Sequence, residues 1–192
     1  MMTTLPDPIA LERRVVELEA ESIHLGERAL AAEQRLARAA QLYAAVSQLH
    51  EARDADEVLT VIKEIVANLL GCEEMGIFEV YTPGPVATFR DGIGLDADRF
   101  AVLPAGDPIV ADVIATGIGY VPSDPTAFTQ HGRPVAAITP LSNDGVTTGL
   151  VVLFSLLRQK PSLDGADAEL LQAMGLHAGR ALAHARLRER GS

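Results

Sequence analysis

Cys72 is the only cysteine in the chain, and it has the clearest redox or nucleophilic potential of any side chain. The thiolate is the reactive form, and the neighbouring Glu73 and Glu74 favour the neutral thiol instead. Cys72 also falls where a helix gives way to a strand, which is a packing position, so it reads as structural. A single cysteine excludes an internal disulfide framework and a cysteine-rich zinc site. The five histidines are His24, His50, His131, His177 and His184. On one helix His177 and His184 stand two turns, about 10 Å, apart and cannot share a metal within a single chain. His131, followed by Gly132-Arg133-Pro134, lies in a loop and is the histidine best placed for a ligand role. Neither a metal site nor a cofactor is expected. Gly92, Gly94, Gly117 and Gly119 are dispersed and open no helix, so they make no phosphate loop. No Ser-His-Asp order, paired-carboxylate motif or His-Glu-x-x-His motif occurs. The chain therefore reads as a non-enzyme with no catalytic residue.

The elements that position these groups begin with a long helix. Between Ile9 and Arg53 the only glycine is Gly26 and there is no proline, and Ala, Leu, Glu, Arg and Gln dominate. All five are good helix formers. With Leu11 at a heptad d position, the d series is Leu11, Leu18, Leu25, Ala32, Ala39 and Val46. The a series is Val15, Ser22, Ala29, Leu36, Tyr43 and His50. A sustained 3.5-residue period of this kind predicts a coiled coil. The seam is strongest at Leu11, Val15, Leu18, Leu25, Leu36, Tyr43 and Val46. Arg14 and Arg28 at g face Glu19 and Glu33 at e of a second chain, the signs a parallel in-register homodimer needs. His50, at a seam position, would tune the pairing.

Asp54 and Asp56 interrupt this pattern and cap a second helix, whose apolar face is Leu59, Ile62, Val66 and Leu69 and which stops at Gly71. Strands are predicted from Met75 to Tyr81 and from Val86 to Phe89, with a turn at Thr82-Pro83-Gly84-Pro85 between them. Residues 91 to 108 read as loop. A short helix carrying Ile109, Val110, Val113 and Ile114 ends at Thr116-Gly117. Short strands are expected at Gly119 to Pro122 and Pro134 to Pro140. Asn143-Asp144-Gly145 signals a hairpin into the strand Val146 to Leu157. Ser162 or Asp164 caps a last helix whose buried face includes Leu170, Leu171, Met174, Ala178, Ala181, Leu182 and Ala185. The order predicts an α+β domain with a mainly antiparallel sheet.

From about Asp54 to Arg190 the chain resembles the GAF domain family. The matching passages are Leu69-Leu70-Gly71-Cys72-Glu73 running into its strand, and Val110 to Gly117 followed by Tyr120-Val121-Pro122 and Asp124-Pro125. Ala137-Ile138-Thr139-Pro140-Leu141, Gly149 to Phe154, and the closing helix from Leu170 to Leu187 complete the set. The related PAS fold shares the layout, and the two long flanking helices favour GAF. The resemblance implies an antiparallel sheet of five or six strands with the first and last helices on one face, where they often dimerise. Loops and a short helix would cover a pocket on the other face. By that analogy Arg90, Asp91, His131, Arg133 and Thr139 are the ligand-pocket candidates. Bilin-binding members carry their cysteine later than Cys72, and the members that reduce free methionine sulfoxide use several cysteines. The Asn-Lys-Phe-Asp-Glu set of cyclic-nucleotide members does not occur here.

The expected organisation is a flexible tail over residues 1–8, a dimerising coiled coil over 9–53 and a GAF-like domain over 54–190. A net charge of −10 argues against a nucleic-acid partner. The acidic excess sits in residues 54–167, with 16 acidic and 6 basic side chains. The basic end, Arg180, Arg186, Arg188 and Arg190, suits the C-terminus of a helix. No signal peptide and no apolar run of about 20 residues is visible, so a cytoplasmic protein without a membrane span is expected. The expected function is signal transduction, in which a small ligand or protein effector is sensed and the signal is relayed through a dimeric helical bundle. The rival is a ligand-free adaptor that only docks proteins.

Overall fold

In the computed structural model, residues 8–81, 86–124 and 126–191 are described. Apart from Pro8, the tail expected over residues 1–8 lies outside them, as does the turn expected at residues 82–85. Among the described residues four helices and seven strands follow one another: α1 (Pro8–Glu51), α2 (Ala55–Leu69), β1 (Cys72–Tyr81), β2 (Val86–Ile93), β3 (Val102–Pro104), α3 (Pro108–Thr116), β4 (Thr129–Gln130), β5 (Arg133–Pro134), β6 (Ala137–Asn143), β7 (Val146–Leu156) and α4 (Gly165–Gly191). Five strands form one antiparallel sheet in the order β3-β2-β1-β7-β6, and β4 with β5 makes a separate small hairpin.

The chain divides into two units, residues 1–42 and 43–192. The described part of the first is helical throughout. Its seam residues Leu11, Val15, Leu18, Leu25 and Leu36 are 48% to 72% exposed. A second apolar stripe, Ile9, Val16, Ile23 and Leu30, repeats every seven residues and is equally open to solvent. It occupies the b positions of the same heptad and was not part of the seam read from the sequence.

In the second unit the last turns of α1 change character. Ala45, Leu49 and Ala52, at spacings of four and three, are buried, whereas the seam residue Tyr43 is exposed and Val46 half-buried. Ala45, Leu49 and Ala52 join α2, α4 and one face of the sheet in a single aliphatic core that includes Val58, Ile62, Met75, Val151 and Leu182. Asp54 starts α2, its carboxylate accepting the Glu57 N–H at 2.8 Å. Gly71, at φ +63, ends it in the left-handed conformation that favours glycine.

Helix α4 begins with a reciprocal cap. The Asp164 carboxylate accepts the Asp167 N–H at 2.9 Å, and Asp167 accepts the Asp164 N–H at 2.8 Å. The buried Asp167 is also paired with Lys160 at 2.7 Å. Gly175 and Gly179 then let α4 lie almost on the backbone of β6. A Cβ on Gly179 would come within 2.4 Å of the Ser142 backbone, and one on Gly175 within 2.4 Å of the Pro140 carbonyl.

The opposite face of the sheet carries aromatics. Phe78, Phe100, Phe128 and Phe154 pack with Leu103, Val110, Val113 and Ile138. This layer includes α3, which Asp107 caps through the Ile109 N–H and which Gly117 closes at φ +67.

Three local features depart from the sequence reading. The stretch 91–108 contains β3, whose Leu103 is buried opposite Ala87. A three-residue strand ending in proline is too short to show alternation. Of Gly119 to Pro122, only Tyr120 pairs, in a single bridge to Ile138. The strand expected from Pro134 starts at Ala137, because Arg133 and Pro134 belong to the small hairpin.

Candidate functional site

The small hairpin turns on His131 (φ +50) and Gly132 (φ +74). Two consecutive positive φ values suit a two-residue hairpin, and Asp144-Gly145 uses the same geometry between β6 and β7. His131 is half-buried, lies edge-on to Phe100 at 5.0 Å, and donates from Nε2 to the Val102 carbonyl at 2.9 Å. Its own carbonyl accepts from Arg99 at 2.6 Å. His131 thus fastens the hairpin to β3 and the Phe100 segment, and Arg133 ion-pairs with Glu74 of β1.

Arg90 and Asp91 point elsewhere. A bulge in the β1–β2 ladder falls at this position. Arg90 pairs with Asp56 at 3.3 Å and Asp91 with Lys63 at 2.7 Å, both residues of α2. Thr139 is buried on β6 against α4. The five ligand-pocket candidates therefore fall in three places: on β2 facing α2, at the small hairpin, and at the β6–α4 joint.

Thr139 lines a cavity of about 330 Å³ between β6, the segment Gly117 to Val121, and the first half of α4. Its polar groups are Thr139, Ser142, Glu169 and Gln172, and its apolar wall includes Ile118, Ile138, Pro140 and Leu171. Gly119 lies close to β6, where a Cβ would be 3.1 Å from the Ile138 carbonyl. The sequence reading passed over Ser142, Glu169 and Gln172. Glu169 and Gln172, three apart on one helix, share a face, but only the pairing of α4 with β6 reveals what that face meets.

Cys72 lies at the start of β1, buried, its thiol donating to the carbonyls of Glu74 at 3.3 Å and Ser155 at 3.2 Å. Burial pushes its pKa up to about 11, and the Glu74 carboxylate adds to the rise. Such a thiol is inert at neutral pH.

The basic end of α4 is tied down within the domain. Arg186 ion-pairs with Glu79 of β1. Arg188 donates to the Ala52 carbonyl at 3.2 Å, and Glu189 accepts the Ala55 N–H at 3.2 Å. One turn of α4 thereby grips the junction between α1 and α2. About three turns earlier on α4, His177 Nδ1 stands 3.2 Å from His50 Nε2, the rings edge to face at 5.3 Å between centroids. Desolvation, then the positive charges of His50 and Arg180, hold the His177 pKa below its ordinary value. Among the described residues no three metal-ligating side chains converge, and no helix is long and apolar enough to cross a membrane.

The family model described as "GAF domain" matches residues 54–182. No curated protein matches the chain. Among solved structures, the chain is similar to the GAF domain from a phosphoenolpyruvate-protein phosphotransferase of Coxiella burnetii, with a TM-score of 0.64, 13% identity, and coverage of 80% of this chain and 96% of that one. It is also similar to residues 122 to 287 of a methyl-accepting chemotaxis protein, with a TM-score of 0.58, 20% identity, and coverage of 76% and 98%. A third similar structure is free methionine-R-sulfoxide reductase from Neisseria meningitidis in complex with its substrate, with a TM-score of 0.61, 19% identity, and coverage of 77% and 89%. At these identities the likeness is one of fold.

Proposed function

The chain belongs to the GAF domain family, and we propose that it is a non-enzymatic signal-transduction module that senses a small ligand and relays it through a dimeric helical bundle. The observation that carries this reading is the position of the cavity against α4. A ligand touching Thr139, Ser142, Glu169 and Gln172 would bear on a helix that shares one aliphatic core with α2 and the end of α1. The cavity volume lies within the range of small-molecule sites, about 300–1,000 Å³, and it has the usual mixture of apolar wall and a few polar groups. Two arrangements of a packed helical layer are the kind of element that ligand and partner can both bias. Signalling proteins appear among the structural neighbours, the chemotaxis protein being one. The exposed seam on α1 supplies the dimer, and the protein works in the cytoplasm.

The non-enzymatic part rests on Cys72. A lone buried thiol with a pKa pushed up to about 11 has no second cysteine with which to close a redox cycle.

The adaptor reading has its own support, because Ile118, Val121 and Leu176 on the cavity rim are exposed apolar groups that suit a protein partner. Native mass spectrometry of freshly purified protein separates the two. Sensing predicts a co-purified small molecule whose mass adduct is lost in Thr139→Leu. A clean apo protein that retains a recurring protein partner would replace sensing with the adaptor.

A further inference from the structure

We propose that His50 and His177 form half of a divalent transition-metal site, which the same two residues of a second copy complete on the dimer axis. The site rests on the parallel dimer proposed above.

The first support is the spacing of the two nitrogens. A tetrahedral zinc ion holds imidazole nitrogens at about 2.0–2.1 Å, which places two of them about 3.3 Å apart. His50 Nε2 and His177 Nδ1 are 3.2 Å apart. In the metal-free chain the same spacing accommodates one hydrogen bond between the two rings. The second support is register. His50 continues the a series of Leu36 and Tyr43, and a positions meet their own copies across a parallel two-stranded coil. Neighbouring Leu49 is buried in the core, while His50 remains exposed at the surface with its ring beside His177 of α4. Imidazole nitrogens suit zinc, nickel and copper. His184 and Arg188 line the open hollow beside His50. His184 is about 10 Å from His177 along α4, too far to share its ion. Arg180 and Arg188 place positive charge near the site, which weakens cation binding without blocking the two nitrogens.

The test is zinc titration of the full chain after EDTA treatment and removal of the chelator, followed by calorimetry, with sedimentation velocity run alongside in EDTA and in zinc. The expected result is one zinc per two chains. His50→Gln and His177→Gln should each weaken binding by at least about 100-fold, beyond the 10–100-fold typical of groups that only orient ligands. His184→Gln should leave it unchanged. Circular dichroism of each variant checks that it is folded. No zinc binding, one zinc per chain, or binding that survives both variants overturns the site. Sedimentation reads the dimer separately. A dimer in EDTA that binds no zinc removes the site and leaves the seam intact. A monomer in EDTA that pairs only with zinc supports the site and removes the seam as sufficient. A monomer under both conditions overturns both.

Discussion

Helix α1 carries apolar residues along its whole length, but its two stretches use them in opposite ways. Before Tyr43, Leu11, Val15, Leu18, Leu25 and Leu36 stay open to water. After it, Ala45, Leu49 and Ala52 are sealed into the domain core. The buried residues are not the continuation of the seam. They sit at heptad positions c and g, while Tyr43, Val46 and His50 continue a and d. One helix thus has a buried face within its own domain and a different, exposed face. The buried set sets the stability of the domain, and the exposed set is the surface through which the proposed dimer would form.

Substitutions can break or sharpen that division. The largest expected effect is Leu49→Ala, which empties a fully buried position and should cost about 3 kcal/mol of unfolding free energy in urea melts while leaving the seam untouched. Gly179→Val follows at roughly 2–3 kcal/mol, because its side chain meets the Ser142 backbone, which cannot yield. Thermal melts should fall for both. Leu18→Ala combined with Leu25→Ala should behave in the opposite way. Domain stability should shift by less than about 0.5 kcal/mol, whereas self-association in sedimentation should weaken by roughly tenfold or more. Equal losses of stability in the core and seam variants would abolish the distinction.

The smallest effect is one of pH. His177 has a folded-state pKa below the ordinary value of about 6.5. The unfolded chain therefore binds more protons than the folded one over the window between the two values. Stability should be level above pH 6.5 and decline as pH falls toward the lowered folded value. In EDTA, His177→Gln should remove that part of the decline, and an unchanged profile would assign it to other groups.

Much of this organisation is legible in the sequence, for physical reasons that differ by element. Helices α1, α2 and α4 announce themselves through long periodic runs and through caps at Asp54 and Asp164. The turn at Asp144-Gly145 is carried by glycine chemistry at positive φ. The edge strand β3 and the His131-Gly132 hairpin are missing from the sequence reading. Three residues ending in Pro104 show no period, and His131 is an unusual occupant of a left-handed position. The stripe Ile9, Val16, Ile23 and Leu30 falls at b positions, outside the a and d places that define a coiled-coil seam. The candidate site was the least legible part. Arg90 and Asp91 are neighbours of the pocket strands in sequence, but the β1–β2 bulge and ion pairs with Asp56 and Lys63 turn them to α2. Thr139 and Ser142 of β6 reach the cavity, whose other polar groups, Glu169 and Gln172, come from a helix about 30 residues later in the chain. No local pattern encodes that meeting.

The seam itself is the central claim, and the buried, unreactive Cys72 allows it to be tested with introduced thiols. Leu18→Cys and Leu25→Cys at d positions, and Ala20→Cys at an outward f position, would each be oxidised in the full chain and resolved on a denaturing gel. A parallel in-register dimer predicts rapid crosslinking to twice 20.4 kDa for the two seam variants and little for Ala20→Cys. Equal crosslinking at all three positions, or none at Leu18 and Leu25, would contradict the account.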